Sequence, residues 1–490
     1  MPELKRDVVV VGGGISGLTC AWRLHQAGVD VCLLEGEAEV GGCTRTEQRD
    51  GFLLEKGPFN IIVRDPTFES LLEDLSNGVS VVPASRAARV RYIYRRGRLH
   101  PVPTNPVALM TTGLLGVGAR VRLLSGLMLS GRGGRPEETI EQVATRRVGR
   151  QASDTIVSAA ISGIFAGDIR RLNLDACFPT VARIDGQARS LIGYGLRSAF
   201  GAMMKKNGAR RRRRWRGLVS IDGGLGALTS ALGLGLGRNV LSGCTVKEAN
   251  AADDGGYSLA LETGDGATRV LQCRRLVLGT SALEASRCLE AIAPEAAPAL
   301  ASIESSSLAV LNLGFRLKDV GHPLEGFGFL VPHNEPEFPL MGVLWADSIF
   351  PHHAPPDHRL LRVFIGGAHH PEAMAHSDDE MLAIAMGTLR KLLDMKGDPV
   401  LVDVCRYPAA IPQYYFGHRE KIEDVRAAVA KRPGLHLIGN YLEGVSLNDC
   451  VRVATQTAEE MTGTNGRAPD EDRVASETGL PVGAEAAAST

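Results

Sequence analysis

Asp7-Val8-Val9-Val10-Val11-Gly12-Gly13-Gly14-Ile15-Ser16-Gly17 stands near the start of the chain, and its reading decides the fold. Four consecutive valines behind an aspartate form a strand buried on both faces. Gly12-x-Gly14-x-x-Gly17 follows, and Leu18, Ala21, Trp22 and Leu24 give the next segment, to about Gly28, the inner faces of a helix. A second strand, Val29 to Leu34, ends in Glu35. This is the opening of a βαβ unit, so the fold class is α/β. In that context Gly12 permits a tight turn, Gly14 lets backbone approach a pyrophosphate, and Gly17 lets helix and sheet pack closely. The backbone of Gly13, Ile15 and Ser16 lies at the helix N-terminus, where free N–H groups and a partial positive charge suit phosphate. Glu35 is placed to accept hydrogen bonds from a ribose diol, which speaks against a 2′-phosphate. The alternative is a glycine-rich turn in an unrelated α/β fold.

Composition narrows the class further. A chain of 490 residues has room for about three domain-sized units. Its 57 glycines follow no G-X-Y period, which excludes collagen. Fifty-five basic and 55 acidic residues cancel, which argues against a dedicated nucleic-acid binder. Nine cysteines, with no C-x-x-C pair, read as buried thiols of a reduced, intracellular protein. The amino terminus has the pattern of neither a signal peptide nor an Arg- and Ser-rich presequence. No clean apolar run is long enough to span a bilayer. His352-His353 and His369-His370 lack helical i, i+4 spacing, and no metal is expected.

Beyond Glu35 come Gly41-Gly42-Cys43-Thr44-Arg45-Thr46, Gly51-Phe52 and Glu55-x-Gly57-Pro58. This resembles the second fingerprint, GG-x-x-R-[ST], of FAD enzymes of the amine oxidase and phytoene desaturase superfamily. Near the other end, Leu437-Ile438-Gly439-Asn440-Tyr441-x-x-Gly444-Val445-Ser446-Leu447-Asn448-Asp449-Cys450 reads as strand, glycine turn and helix, with Asn448 and Asp449 as cap candidates. The resemblance implies FAD held by Gly42, Cys43, Arg45, Gly57, Pro58, Phe59, Asn60, Val246, Thr280, Asn440, Val445, Ser446 and Leu447, besides the first fingerprint. It also implies that the carboxyl-terminal helix aims its positive end at the flavin.

Four further stretches narrow the resemblance to the protoporphyrinogen oxidase family. They are Arg91-Tyr92-Ile93 with Pro101-Val102-Pro103; Gly163-Ile164-Phe165-Ala166-Gly167-Asp168; Leu324 to Pro332 (LEGFGFLVP); and Ile411-Pro412-Gln413-Tyr414 with Gly417-His418. The resemblance implies six-electron oxidation of protoporphyrinogen IX to protoporphyrin IX, with dioxygen as acceptor and hydrogen peroxide as by-product. By the same resemblance Arg91 anchors a propionate, Ala166 and Gly167 form a small-residue wall, and Leu330 and Phe350 clamp the macrocycle. Hydride goes to the flavin, so no side-chain base is assigned. The segment Ile169-Arg170-Arg171-Leu172-Asn173 departs from the family's loop. Oxidation of coproporphyrinogen III is the nearest alternative. A non-enzymatic prenyl-protein binder of the GDP-dissociation-inhibitor type is the alternative outside enzymes.

The expected architecture is a Rossmann-like FAD-binding domain from 5–85, 218–300 and 430–465. An antiparallel-sheet substrate domain is expected from 86–104, 177–200 and 305–429, and a helical, membrane-associated domain over 105–176. A basic loop spans 201–217, with eight Lys or Arg between Lys205 and Arg216, and a disordered tail spans 466–490. Peripheral attachment to the cytoplasmic face of a membrane follows from the resemblance and from the apolar run at 106–130. A homodimer is one assembly open to the chain, whose sequence does not fix the oligomeric state. Gly233-x-Gly235-x-Gly237 follows a helix-like run, so no second nucleotide site is expected.

Overall fold

Val8, Val9 and Val10 have no exposed surface and Val11 only 6%, because they form the centre of a sheet covered on both faces. In the computed structural model, which describes residues 4–129, 137–187, 214–215, 217–335 and 339–463, the strand Leu4–Val11 pairs in parallel with Val31–Leu34 and Thr268–Leu278. Val240–Leu241 extends the sheet past Val31–Leu34. Leu435–Leu437, more than 400 residues from the first strand, lies parallel beside Leu276–Leu278. An antiparallel pair, Cys244–Ala251 and Tyr257–Thr263, completes the seven strands. The helices Ile15–Gln26 and Leu447–Thr462 pack together on this sheet. Gly233 and Gly235 lie inside the helix Gly226–Leu236 and do not follow it as the sequence suggested.

A second seven-stranded sheet runs in the order Leu401–Pro412, Ser305–Arg316, His358–Gly366, Leu340–Trp345, Gly328–Leu330, Tyr92–Arg95, Arg98–Pro101. Every neighbouring pair is antiparallel except Gly328–Leu330 with Tyr92–Arg95. Side chains alternate between faces along each strand, so register sorts them into rows. One row runs Ile93, Leu330, Gly342, Phe364, Val310, Cys405. The next, two residues along, runs Leu344, Arg362, Asn312, Asp403. The opposite face is mainly apolar, with Ala309, Leu311, Leu313, Val343, Leu361, Val363 and Ile365, and is covered by the helix Asp378–Leu393 through Met381, Ala385, Leu389 and Leu393.

The described residues between Pro106 and Gln187 are mainly helical, including Pro106–Thr111, Val117–Leu129, Ile140–Val148, Ser158–Phe165 and Pro179–Gln187. A buried ion pair between Arg147 and Asp185 joins the third of these to the last. Arg120 folds inward to donate to the carbonyls of Met110, Thr112 and Leu115, satisfying the carboxyl end of the first. Leu114, Leu115 and Leu123 are buried, while Val107, Met110, Val117 and Val121 are exposed. Among the described residues no helix is long and apolar enough to cross a membrane. The 466–490 tail and nearly all of the basic run at 205–216 lie outside the described residues.

Candidate active site

The first glycine turn is shaped by contact. Gly12 has φ +102°, and a Cβ on it would lie 2.8 Å from the Gly279 carbonyl oxygen. A Cβ on Gly17 would fall 1.8 Å from the Gly12 carbonyl oxygen, so only glycine lets the helix start this close to the strand. Gly14 faces open space, with nothing within 4 Å of its missing Cβ. It is also the N-cap of the helix Ile15–Gln26 and caps it with no side chain, leaving first-turn N–H groups for a ligand. The Gly41-Gly42 turn is bonded to this one, the Gly41 N–H donating to the Gly13 carbonyl at 2.7 Å. Glu35 stands at the end of the second strand, one carboxylate oxygen accepting from the Gly13 N–H at 2.7 Å and the other from the Glu37 N–H at 2.9 Å. Thr280 packs against Gly12 from the strand end at 278, and Val246 lies on the strand beside Glu35.

Two observations fit FAD to this cleft. The Nε of Arg45 is buried without a hydrogen-bond partner, as for a group reserved for a diphosphate. Cys43 keeps accessible surface while surrounding protein desolvates its thiol and pushes it up, the combination expected at the bottom of a cleft. Both chain ends contribute, for Ser16 on the first helix hydrogen-bonds Cys450 on the last. Gly439 and Gly444 turn the chain here, a Cβ on Gly444 meeting the Asp449 carboxylate at 2.4 Å. The last helix is capped by Ser446, whose Oγ accepts from the Asp449 N–H in a capping box. The expected cap Asn448 instead accepts from the Arg64 and Asp65 N–H groups and donates to the Ile62 carbonyl, tying this turn to the 61–65 loop. The Asn440 carbonyl accepts the Tyr414 hydroxyl proton, and Val445 packs beside the Phe165–Tyr414 cluster.

Gly57, Pro58, Phe59 and Asn60 form the loop between this cleft and the second sheet. A Cβ on Gly57 would lie 2.4 Å from the Cys43 carbonyl oxygen. Glu55, at its start, is 1% exposed and accepts from the Leu225 N–H and the Thr46 hydroxyl, both at 2.7 Å. Burial pushes its carboxyl up to about 7 against those hydrogen bonds.

The substrate-side residues divide. Arg91 is half-buried, its guanidinium 4.9 Å over the Phe327 ring. Burial lowers its pKa, with no acidic neighbour opposing the shift. Since Ile93 pairs with Leu330, Arg91 lies two residues along on the same sheet face, beside Gly328, which has no side chain to block it. Leu330 fits between Gly163 and Gly342, within 3.3 Å and 2.9 Å of their missing Cβ positions. Ala166 ends the helix Ser158–Phe165 with φ +48° and packs on Val310 and Met341. Gly167 corrects one expectation: its missing side chain makes room for Gln413 Oε1 and Leu172 Cδ1, 2.5 Å and 2.8 Å from a Cβ, not for a ligand. Phe350 corrects another, being fully buried among Phe59, Ile349 and Leu360 with no surface to offer a macrocycle. In the divergent loop, Arg170 pairs with Asp168 at 2.8 Å and Arg171 stacks 3.9 Å over Tyr415. Ile169 and Leu172 are buried, and Asn173 caps the next helix. Arg362, Asn312 and Asp403 escape the sequence reading; the available signal is Arg362 between Leu360-Leu361 and Val363-Phe364-Ile365.

Comparison with known proteins agrees with this geometry. The chain belongs to the family described as flavin containing amine oxidoreductase, whose profile matches residues 15–462. It is an FAD-dependent oxidase of that family. Its relatives include the chloroplastic protoporphyrinogen oxidase of Oryza sativa, 30% identical with 94% of this chain and 89% of the relative covered. They also include the coproporphyrinogen III oxidase of Bacillus subtilis, 28% identical with 92% and 97% covered. Among solved structures, an Exiguobacterium protein provisionally assigned as a protoporphyrinogen oxidase superposes with TM-score 0.77 at 25% identity, covering 95% of this chain and all of that one. Cyclohexylamine oxidase from Brevibacterium oxydans shares the fold, with TM-score 0.66 at 17% identity and 95% of this chain covered.

Proposed function

We propose that the protein oxidises protoporphyrinogen IX to protoporphyrin IX, three two-electron steps in which the substrate loses six hydrogens and three dioxygen molecules become three hydrogen peroxide. The observation that carries this reading is Arg91: a half-buried cation without an acidic partner, on the sheet face that also presents Leu330, Gly342 and Phe364. A flat apolar macrocycle with propionate arms asks for that pairing of apolar wall and cation. FAD, when bound, accepts hydride from a bridging carbon. The chain's part is to hold the diphosphate on the Gly12–Gly17 turn and Arg45, the ribose on Glu35, and the substrate carboxylate on Arg91. Orientation by these groups replaces a dedicated base.

Coproporphyrinogen III is the second reading, supported by the Bacillus subtilis relative. Turnover of both substrates side by side, followed by porphyrin fluorescence with peroxide detection, decides between them; faster coproporphyrin formation overturns the first reading. A purified protein without flavin absorbance overturns both. For location, we propose peripheral attachment to the cytoplasmic face of a membrane through Val107, Met110, Val117 and Val121, 75%, 46%, 71% and 57% exposed. The nine free cysteines suit a reducing compartment. Failure to float with liposomes sinks the attachment, and a monomer mass by sedimentation sinks the homodimer.

A further inference from the structure

Arg362 sits in the middle of the second sheet with no exposed surface. Its Nη2 donates to the Gly57 carbonyl at 2.8 Å, while Nε and Nη1 are buried without hydrogen-bond partners. The guanidinium lies 5.1 Å over the Phe59 ring and 5.8 Å from the Phe364 ring. Register places it in one row with Asn312 and Asp403, facing the loop that begins at Glu55.

The anions near it are largely engaged elsewhere. Asp403 is held by Arg49 at 2.7 Å, Lys56 at 2.9 Å and Asn312 at 2.9 Å. Glu55 spends its oxygens on Leu225 and Thr46. Burial lowers the Arg362 pKa only to about 10, so it stays charged near neutrality. A buried cation with two idle donors is unfavourable unless something compensates it. The neighbouring row holds Phe364, Val310 and Cys405 and gives the guanidinium no hydrogen bond.

We propose that Arg362 is a positioning residue for the flavin reaction: it fixes the Gly57–Asn60 loop from beneath and places a positive charge behind the wall that this loop forms for the isoalloxazine. This rests on the reading of that loop as flavin-binding. Uptake of two electrons and one proton leaves a flavin with net negative charge, and a fixed cation in a low-dielectric setting favours that state. The role differs from that of Arg91, which is accessible and serves the substrate.

The test uses the full chain purified with FAD and reads the flavin midpoint potential and the FAD dissociation constant, not turnover. Arg362→Met is expected to weaken FAD binding about tenfold. It is also expected to shift the oxidised–reduced equilibrium about tenfold toward the oxidised form, ~30 mV for a two-electron couple. Arg362→Lys keeps the charge without the fork, so the potential stays near that of the parent while FAD affinity falls. Glu55→Gln removes the nearest countercharge and is expected to move the potential the other way, toward easier reduction. A flavin-replete Arg362→Met protein with parental potential and affinity overturns the inference and leaves the loop reading intact. Should that variant fail to fold, a Glu55→Gln protein with unchanged or lowered potential overturns it. If Gly57→Ala changes neither the flavin spectrum nor its affinity, the loop reading itself fails.

Discussion

The two halves of the site are built from different material. In the glycine turns proposed to hold the phosphates the protein works with backbone: Gly12 and Gly17 leave no room for a side chain, and Gly14 opens onto free space. Across the second sheet it works with side chains brought into rows by register, Arg362 with Asn312 and Asp403, and Phe364 with Val310 and Cys405. At Gly12 and Gly17 the first kind of site has no room for an added atom, and the second kind tolerates substitution but not slippage. A one-residue shift of Ser305–Arg316 would send Asn312 to the apolar face and Leu313 toward Glu55. The difference predicts that cofactor-side variants fail by losing fold and flavin together, whereas sheet-side variants stay folded and change chemistry or pH response.

The sharpest break with that contrast would come from Gly17. Gly17→Ala puts a methyl 1.8 Å from the Gly12 carbonyl oxygen, so about 3 kcal/mol or more of stability is expected to go, and FAD with it. Thermal unfolding and the flavin-to-protein absorbance ratio read this; a flavin-replete variant of normal stability would refute the backbone account. Next in size is Glu55, at the junction of the halves. Its carboxyl rises from 4.5 to about 7 on folding. A group raised in the native state contributes stability that is complete below its unfolded pKa and is lost as pH climbs through its folded one. Between pH 4.5 and 7 about 3 kcal/mol should therefore be lost on its account. Glu55→Gln is expected to remove that slope, measured by denaturant unfolding at pH 5 and pH 8 relative to the parent.

Arg91→Gln belongs wholly to the side-chain half. Losing a charge-assisted contact of about 2 kcal/mol should lower kcat/KM roughly 30-fold, mainly through KM, with the melting temperature unchanged. A variant with unaltered KM would remove Arg91 from the substrate contact proposed for it. The smallest effect is expected at the last helix: Ser446→Ala removes the cap and costs about 1 kcal/mol. Asn448→Ala should instead loosen the 61–65 loop, seen as faster amide exchange at Arg64 and Asp65, whose N–H groups it accepts.

The same contrast explains what could be read without coordinates. Gly12 to Glu35, the Gly41-Gly42 pair and the Gly439–Ser446 turn are local patterns whose spacing carries their geometry, so the shape of the glycine-turn half was legible. Arg362 was not, because its meaning depends on Asn312 fifty residues before it and Asp403 some forty after. Phe350 and Gly167 misled for a related reason: an aromatic or a glycine in a family block says that shape matters there, but not which neighbour it serves. The cap at Ser446 was missed because Asn448 and Asp449 are both good capping types and only the bonds distinguish them.

The pairing of Leu435–Leu437 with Leu276–Leu278, and the packing of the final helix on the first, carry a consequence for biosynthesis. A chain emerging from the ribosome presents its amino-terminal turn early, yet the strand and helix that complete the flavin pocket come more than 400 residues later. Until then the apolar sides of the first helix and of the strand at 268–278 lack their cover. Completion of this half of the fold, and with it any flavin loading that needs both chain ends, is therefore expected only after nearly the whole chain has been made.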